Sequence, residues 1–125
     1  MTAKKGGSGR RRKIEAELQR VLAELIARDV KDPRVGNVTV TGVSLAADMG
    51  VAKVFYAPFV SSHPQEEVQS GLNRAAGFLR GEAGRRLGLR HAPRLDFVFD
   101  DTAEKAARLT GLIARAVADD TDKHS

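Results

Sequence analysis

Between residues 74 and 94 the chain carries Arg74, Arg80, Arg85, Arg86, Arg90 and Arg94 against a single acid, Glu82. The same run holds Gly77, Gly81, Gly84 and Gly88, with Gly71 just before it. A guanidinium offers a planar fork of donors that grips a phosphate in two places at once. A glycine removes the side chain that would keep another backbone at a distance. Arginines bordering bare backbone therefore suit a sugar–phosphate chain. On a helical wheel, Leu72, Ala76, Leu79, Ala83 and Leu87 cluster within about 80°. Gly77, Gly81 and Gly84 fall on the opposite side at i, i+4 and i+7. Arg74 and Arg85 flank that stripe on one edge, and Asn73 and Arg80 on the other. The spacing predicts a helix to about Leu87, buried on its leucine side and bare on its glycine side.

The net charge of +5 is concentrated in two places. Residues 1–13 carry Lys4, Lys5, Arg10, Arg11, Arg12 and Lys13 and no acid, while residues 14–73 hold five basic and eight acidic residues. Residues 95–125 are again acidic on balance, with four basic and seven acidic residues. Two cationic blocks separated by acidic sequence are the electrostatic footprint of a partner rich in phosphate, most often nucleic acid.

Other chemistries find little support. The chain has no cysteine, which excludes disulfides, thiolate metal sites and cysteine nucleophiles. His63, His91 and His124 lack metal-ligand spacing, so neither a metal nor a cofactor is expected. Asp100 and Asp101 resemble a catalytic acid pair, but Asp101 followed by Glu104 reads better as a helix cap. There is no phosphate loop of the Gly-x-x-x-x-Gly-Lys type and no nucleophile elbow. Gly81-Glu82-Ala83-Gly84 matches a Gly-x-x-Gly loop only loosely, since a glutamate is a poor neighbour for phosphate. Phe97 and Phe99 alternate with aspartates and belong to the core rather than to a base-stacking face. No catalytic residue emerges, and no stretch approaches the roughly 18 apolar residues of a membrane span.

The elements that must position the arginines can be read in order. Residues 1–9 look like a disordered basic tail. Ile14, Leu18, Val21, Leu22, Leu25 and Ile26 follow a helical period, which should stop before Pro33. Residues 38–60 read as two strands joined by a turn near Asp48–Gly50. The apolar phase slips between Val40 and Val43, which predicts a bulge at Gly42. Ser62 is a candidate cap and Pro64 belongs to the first turn of the glycine-dotted helix. Leu95, Phe97 and Phe99 mark a third strand. A last helix over about 103–117 should bury Ala106, Leu109, Leu112, Ile113 and Ala116, and residues 119–125 form an acidic flexible tail. Three strands with helices on one face make a single two-layer α+β domain over residues 10–118.

This order resembles a type II KH domain, and several motifs resemble the bacterial ribosome-binding factor A family more closely. They are "RRRKIEAELQRVLAELI", "DPR" at Asp32–Arg34, "VTVTGVSLAADMGVAKVFY", "LNRAAGFLR" and "LRHAPRLDFVFDDTAEKAARL". The resemblance covers about residues 10–117. It implies a helix–kink–helix unit broken at Ala75, Ala76 and Gly77 in place of a Gly-x-x-Gly loop. It further implies a non-enzymatic factor without cofactor that binds the 30S subunit and its 16S rRNA; with no signal sequence or membrane span read, a cytoplasmic protein is the default, and nothing demands more than a monomer. Such a factor acts late in rRNA processing and folding, most visibly in the cold, with a GTPase assembly factor as a candidate partner. The RNA-facing residues it implies are Arg10, Arg11, Arg12, Lys13, Asn73, Arg74, Arg80, Arg85, Arg86 and Arg90, with Arg34 and Lys53 as weaker members. A generic RNA chaperone, a ribosome-silencing factor and a small α+β hydrolase remain as alternatives at this point. The hydrolase would need an anion-cradling loop near the N-terminus, and none is found.

Overall fold

The computed structural model describes residues 2–35, 37–60 and 63–111. Helix α1 spans Thr2–Asp29 and buries Leu18, Val21, Leu22, Leu25 and Ile26 on one face. Its end falls ahead of Pro33, as predicted. Its start does not follow the prediction, because residues 2–9, read above as disordered, belong to the helix backbone. Once the packed segment is helical, each further residue adds a hydrogen bond without a new nucleation cost.

Strands β1 (Asn37–Leu45) and β2 (Val51–Val60) pair antiparallel, and β3 (Arg94–Phe99) lies parallel to β2, giving the order β1-β2-β3. The bulge is present: Val40 faces Tyr56 and Gly42 faces Phe55, so Thr41 is the extra residue. The shift brings Val43 opposite Val54 and Leu45 opposite Ala52, returning both β1 residues to the core side. At this point of disrupted pairing, Gln19 Nε2 of α1 donates to the Val40 carbonyl at 3.1 Å. Glu15 accepts the Leu45 backbone N–H at 2.7 Å, so α1 is held to both ends of the bulged segment. In the β1–β2 turn the left-handed conformation falls on Met49, with φ 61°, rather than on Gly50.

Helix α2 spans Gln65–Leu87 and provides the crossover from β2 to parallel β3. Pro64 is its N-cap and not a first-turn residue. With no side-chain cap bond, the Pro64 carbonyl accepts from the Glu67 and Val68 backbone N–H groups. Ser62 lies outside the described residues. The expected interruption at Ala75, Ala76 and Gly77 does not divide the helix, which is a single element across them. Leu72 and Leu79 on either side are fully buried, and that burial outweighs the cost of about 1 kcal/mol for a helical glycine. Gly88 at φ 64° ends the helix, with its own N–H bonded to Arg85 and that of Leu89 to Gly84. This is a Schellman stop, which requires the left-handed residue that glycine supplies most readily.

Helices α1 and α2 cover one face of the sheet, and Tyr56, Val54, Leu72, Leu79 and Phe97 lie between the layers. Tyr56 is fully buried and donates its hydroxyl to Gln69 Oε1 at 2.5 Å, and burial raises its pKa. Gln69 in turn donates to the Phe97 carbonyl and to Asn73, tying α2 to β3. Residues 102–111 are helical but do not pack as predicted: Ala106 is exposed and Leu109 is 61% exposed. An apolar period identifies a face without saying what covers it. Leu112, Ile113, Ala116 and the acidic tail lie outside the described residues. The helix start is capped by the side chain of Asp100, not of Asp101, since Asp100 Oδ1 accepts the Thr102 N–H at 3.0 Å. Asp101 instead contributes its carbonyl to Lys105 and its carboxylate to the Lys105 ammonium.

Candidate nucleic-acid interface

Helix α2 presents different surfaces around its circumference. Val68, Leu72, Leu79 and Ala83 face the sheet and are buried, with Ala76 and Leu87 half-buried beside them. The glycine stripe predicted opposite is shorter than the wheel suggested. Gly77 and Gly81 are exposed, and a Cβ built on either would meet nothing within 4 Å. Gly84 is not part of it: it is buried, and a Cβ there would lie 2.8 Å from Ala92 Cβ. The loose Gly-x-x-Gly match is thereby removed as a loop, since Gly81–Gly84 lies inside the helix and half of it faces inward.

Gly71 behaves like Gly84. A Cβ on it would come 2.9 Å from Val35 Cγ2 and 3.2 Å from Asp32 Oδ2. The absent side chain lets the Asp32–Val35 turn settle directly on α2. That turn is stiffened by Arg34, whose Nε and Nη2 both donate to the Asp32 carboxylate and whose backbone N–H donates to Oδ1. The Arg34 hydrogen bonds hold the Asp32 carboxyl at about 2, below its ordinary 3.8, with the Arg74 charge adding to the effect.

The predicted cations divide by what already engages them. Arg74 and Arg90 are exposed, with no ion pair or side-chain hydrogen bond among the described residues. Arg10, Arg12 and Lys13 are likewise exposed on the first half of α1, with Arg11 half-buried. Arg85 pairs with Glu82 one turn back at 2.5 Å but keeps 74% of its side chain exposed, so it remains available to solvent. Arg80 donates Nε and Nη2 to the Ala92 carbonyl at 3.0 and 2.9 Å. It therefore fastens α2 to the loop before β3, beside the Gly84–Ala92 contact. Arg86 reaches Glu24 of α1 at 3.5 Å. Arg34 is taken up by Asp32. Lys53 stands between Ala52 and Val54, both buried toward the helices, so it lies on the opposite face of the sheet. Asn73 is exposed and held by Gln69.

The two cationic blocks are on related surfaces. Asp29–Asp32, at the end of α1, lie beside Gly71, Arg74 and Phe78, whereas the earlier Glu24 pairs with the later Arg86. The helices thus run in opposed senses, which puts Arg10–Lys13 toward the Arg86–Arg90 end of α2. One residue of this surface is not among the expected RNA-facing residues. Phe78 is 49% exposed, and its signal was present, because on the wheel it stands about 140° from the centre of the apolar cluster.

A one-sided three-stranded sheet, two covering helices and a bare arginine-bordered helix face define an α+β domain of the type II KH-like class. Residues 10–113 match the family model for ribosome-binding factor A, and the chain belongs to that family. A ribosome-binding factor A from Thioalkalivibrio sulfidiphilus is 49% identical over 115 residues, covering 92% of this chain and 89% of that relative. One from Pseudomonas putida is 48% identical over 113 residues, covering 89% of this chain and 86% of that relative. Among solved structures, the crystal structure of ribosome-binding factor A from Thermus thermophilus superposes with a TM-score of 0.63 at 35% identity. The match covers 70% of this chain and 93% of that one. A homology model of the Thermus thermophilus factor, as fitted into a cryo-EM map of its 30S complex, matches with a TM-score of 0.59 and 34% identity, covering 70% of this chain and 92% of that one.

Proposed function

We propose that this chain binds the free 30S ribosomal subunit through 16S rRNA and assists the last steps of rRNA processing and folding. It does so in the cytoplasm, as a non-catalytic factor acting as a monomer. The observation that carries this reading is family membership over residues 10–113, together with a relative whose coordinates were fitted into the map of a 30S complex. The exposed Gly77–Gly81 face and the unengaged Arg74 and Arg90 supply a surface of the right chemistry. Binding energy on such a surface comes mainly from phosphate contacts, so recognition follows RNA shape and weakens steeply with salt. No helix among the described residues is long and apolar enough to cross a membrane.

Co-sedimentation at two salt concentrations tests the proposal, using purified small subunits, complete ribosomes and naked 16S rRNA. Retention on free small subunits but not on complete ribosomes is the expected result. Equal retention on all three would make the chain a generic RNA-binding domain instead. Replacing Arg74 and Arg90 by alanine should lower the slope of log affinity against log salt by about 1 per arginine. An unchanged slope would remove both from the interface.

A further inference from the structure

An open groove runs between the end of α1 and the middle of α2, with the ring of Phe78 on its wall and Arg74, Lys31, Gly71, Ala75 and Asp29 around it. Three observations bear on what it takes. First, Phe78 is an aromatic residue left 49% exposed on a helix whose neighbouring leucines are fully buried. Second, Arg74 stands one helical turn before Phe78, and both Arg74 and Lys31 are exposed, with no ion pair or side-chain hydrogen bond among the described residues. Third, Asp32, the second acid at the groove, is already neutralised by the fork of Arg34. That leaves two cations beside one apolar ring, with Asp29 as a lone acceptor on the loop side.

We infer that this groove seats one unpaired nucleotide, its base stacked on Phe78 and its phosphate held by Arg74 and Lys31. Every base has a π-face that an aromatic ring can receive, and a neighbouring guanidinium binds the phosphate attached to it. Asp29 suits the exocyclic amino group of adenine or cytosine, which a second phosphate could not satisfy. A protein side chain would fill the apolar wall but leave Arg74 and Lys31 without an anion. Gly71 contributes by letting the Asp32–Val35 turn lie close against α2, which forms one bank of the groove. The inference rests on the RNA-binding reading above and adds to it the seat of a single base.

The chain has no tryptophan, so Phe78→Trp introduces one reporter at the wall of the groove. Titrating that full-length variant with hexaadenylate at low salt should quench its fluorescence, and an abasic oligonucleotide of the same length should not. In co-sedimentation with small subunits, Phe78→Ala and Phe78→Leu should each lose about tenfold in affinity, the order expected for one stacked base, while Phe78→Trp retains it. Unchanged melting temperatures in these variants show that the fold is intact, as the exposure of Phe78 requires. Subunit binding equal to wild type in Phe78→Ala, with no quenching in Phe78→Trp, overturns the nucleotide seat and leaves the RNA-binding reading standing. Loss in Phe78→Ala but full retention in Phe78→Leu, again without quenching, assigns the groove to a protein side chain and also overturns it. A wild-type chain that binds neither subunits nor RNA sinks the underlying reading itself.

Discussion

Helix α2 carries two pairs of glycines that the sequence does not distinguish and the fold does. Gly71 and Gly84 look onto Val35 and Ala92, where a single methyl group would intrude to 2.9 and 2.8 Å. Gly77 and Gly81 lie between them on the same helix and look onto open space. The outer pair is a packing requirement: each lets a loop rest on helix backbone, one before β1 and one before β3. The inner pair costs helix stability and gains no contact among the described residues in return, which suits the external partner proposed above. The same helix thus uses one residue type both to hold its own fold and to leave a stretch of its surface bare.

Substitutions can break this contrast at several strengths. Gly84→Val should cost the most, roughly 3 kcal/mol, because the Ala92 methyl is fixed to its backbone and cannot move aside. Thermal unfolding should show a fall of about 10 °C. Exchanging the methyl between the two loops, as Gly84→Ala with Ala92→Gly, should recover most of what Gly84→Ala loses alone. A double variant no better than the single one would refute the contact as the cause. Gly71→Ala should cost about 1–2 kcal/mol against the branched Val35, partly offset by better helix propensity. Gly77→Ala and Gly81→Ala should behave oppositely, each gaining about 0.5–1 kcal/mol while lowering retention on small subunits. Stability and binding rising together would show that the inner pair faces no ligand.

The smallest effect concerns acid. The Asp32 carboxyl beside Gly71 is lowered from 3.8 to about 2, chiefly by its Arg34 hydrogen bonds. A depressed carboxylate adds stability that is whole above the unfolded value near 4 and disappears as pH falls toward 2. Asp100, lowered to about 2 by Thr102 and Thr41, acts in the same window at the far end of the sheet. Asp32→Asn should therefore flatten the acid limb between pH 4 and 2, leaving a smaller share due to Asp100. An identical acid limb in the variant would show that the Asp32–Arg34 pair adds nothing to folding.

The features legible in the sequence are those set by residues close together in it. The bulge at Thr41 showed as a phase slip because each strand residue alternates faces. The leucine face of α2 and the end of α1 before Pro33 were equally local. Gly84 was misplaced because its neighbour, Ala92, comes from a loop that no wheel represents. The fastening of Arg80 to the Ala92 carbonyl was invisible for the same reason. Leu109 was read as core because apolar spacing does not reveal whether a partner surface exists. The exposure of Phe78, by contrast, is local information, since its angle on the wheel sets it apart from the buried residues.

The parallel pairing of β2 with β3 also bears on how the chain folds. β1 and β2 meet across a five-residue turn, whereas β3 reaches β2 only after the whole of α2 has crossed back. Closing the short loop costs far less entropy than closing the long one. The hairpin with α1 laid on its bulge should thus assemble first, and α2 with β3 should dock last. Variants at Gly84 and Arg80, which fasten that half, should then act mainly by speeding unfolding and leave the folding rate nearly unchanged.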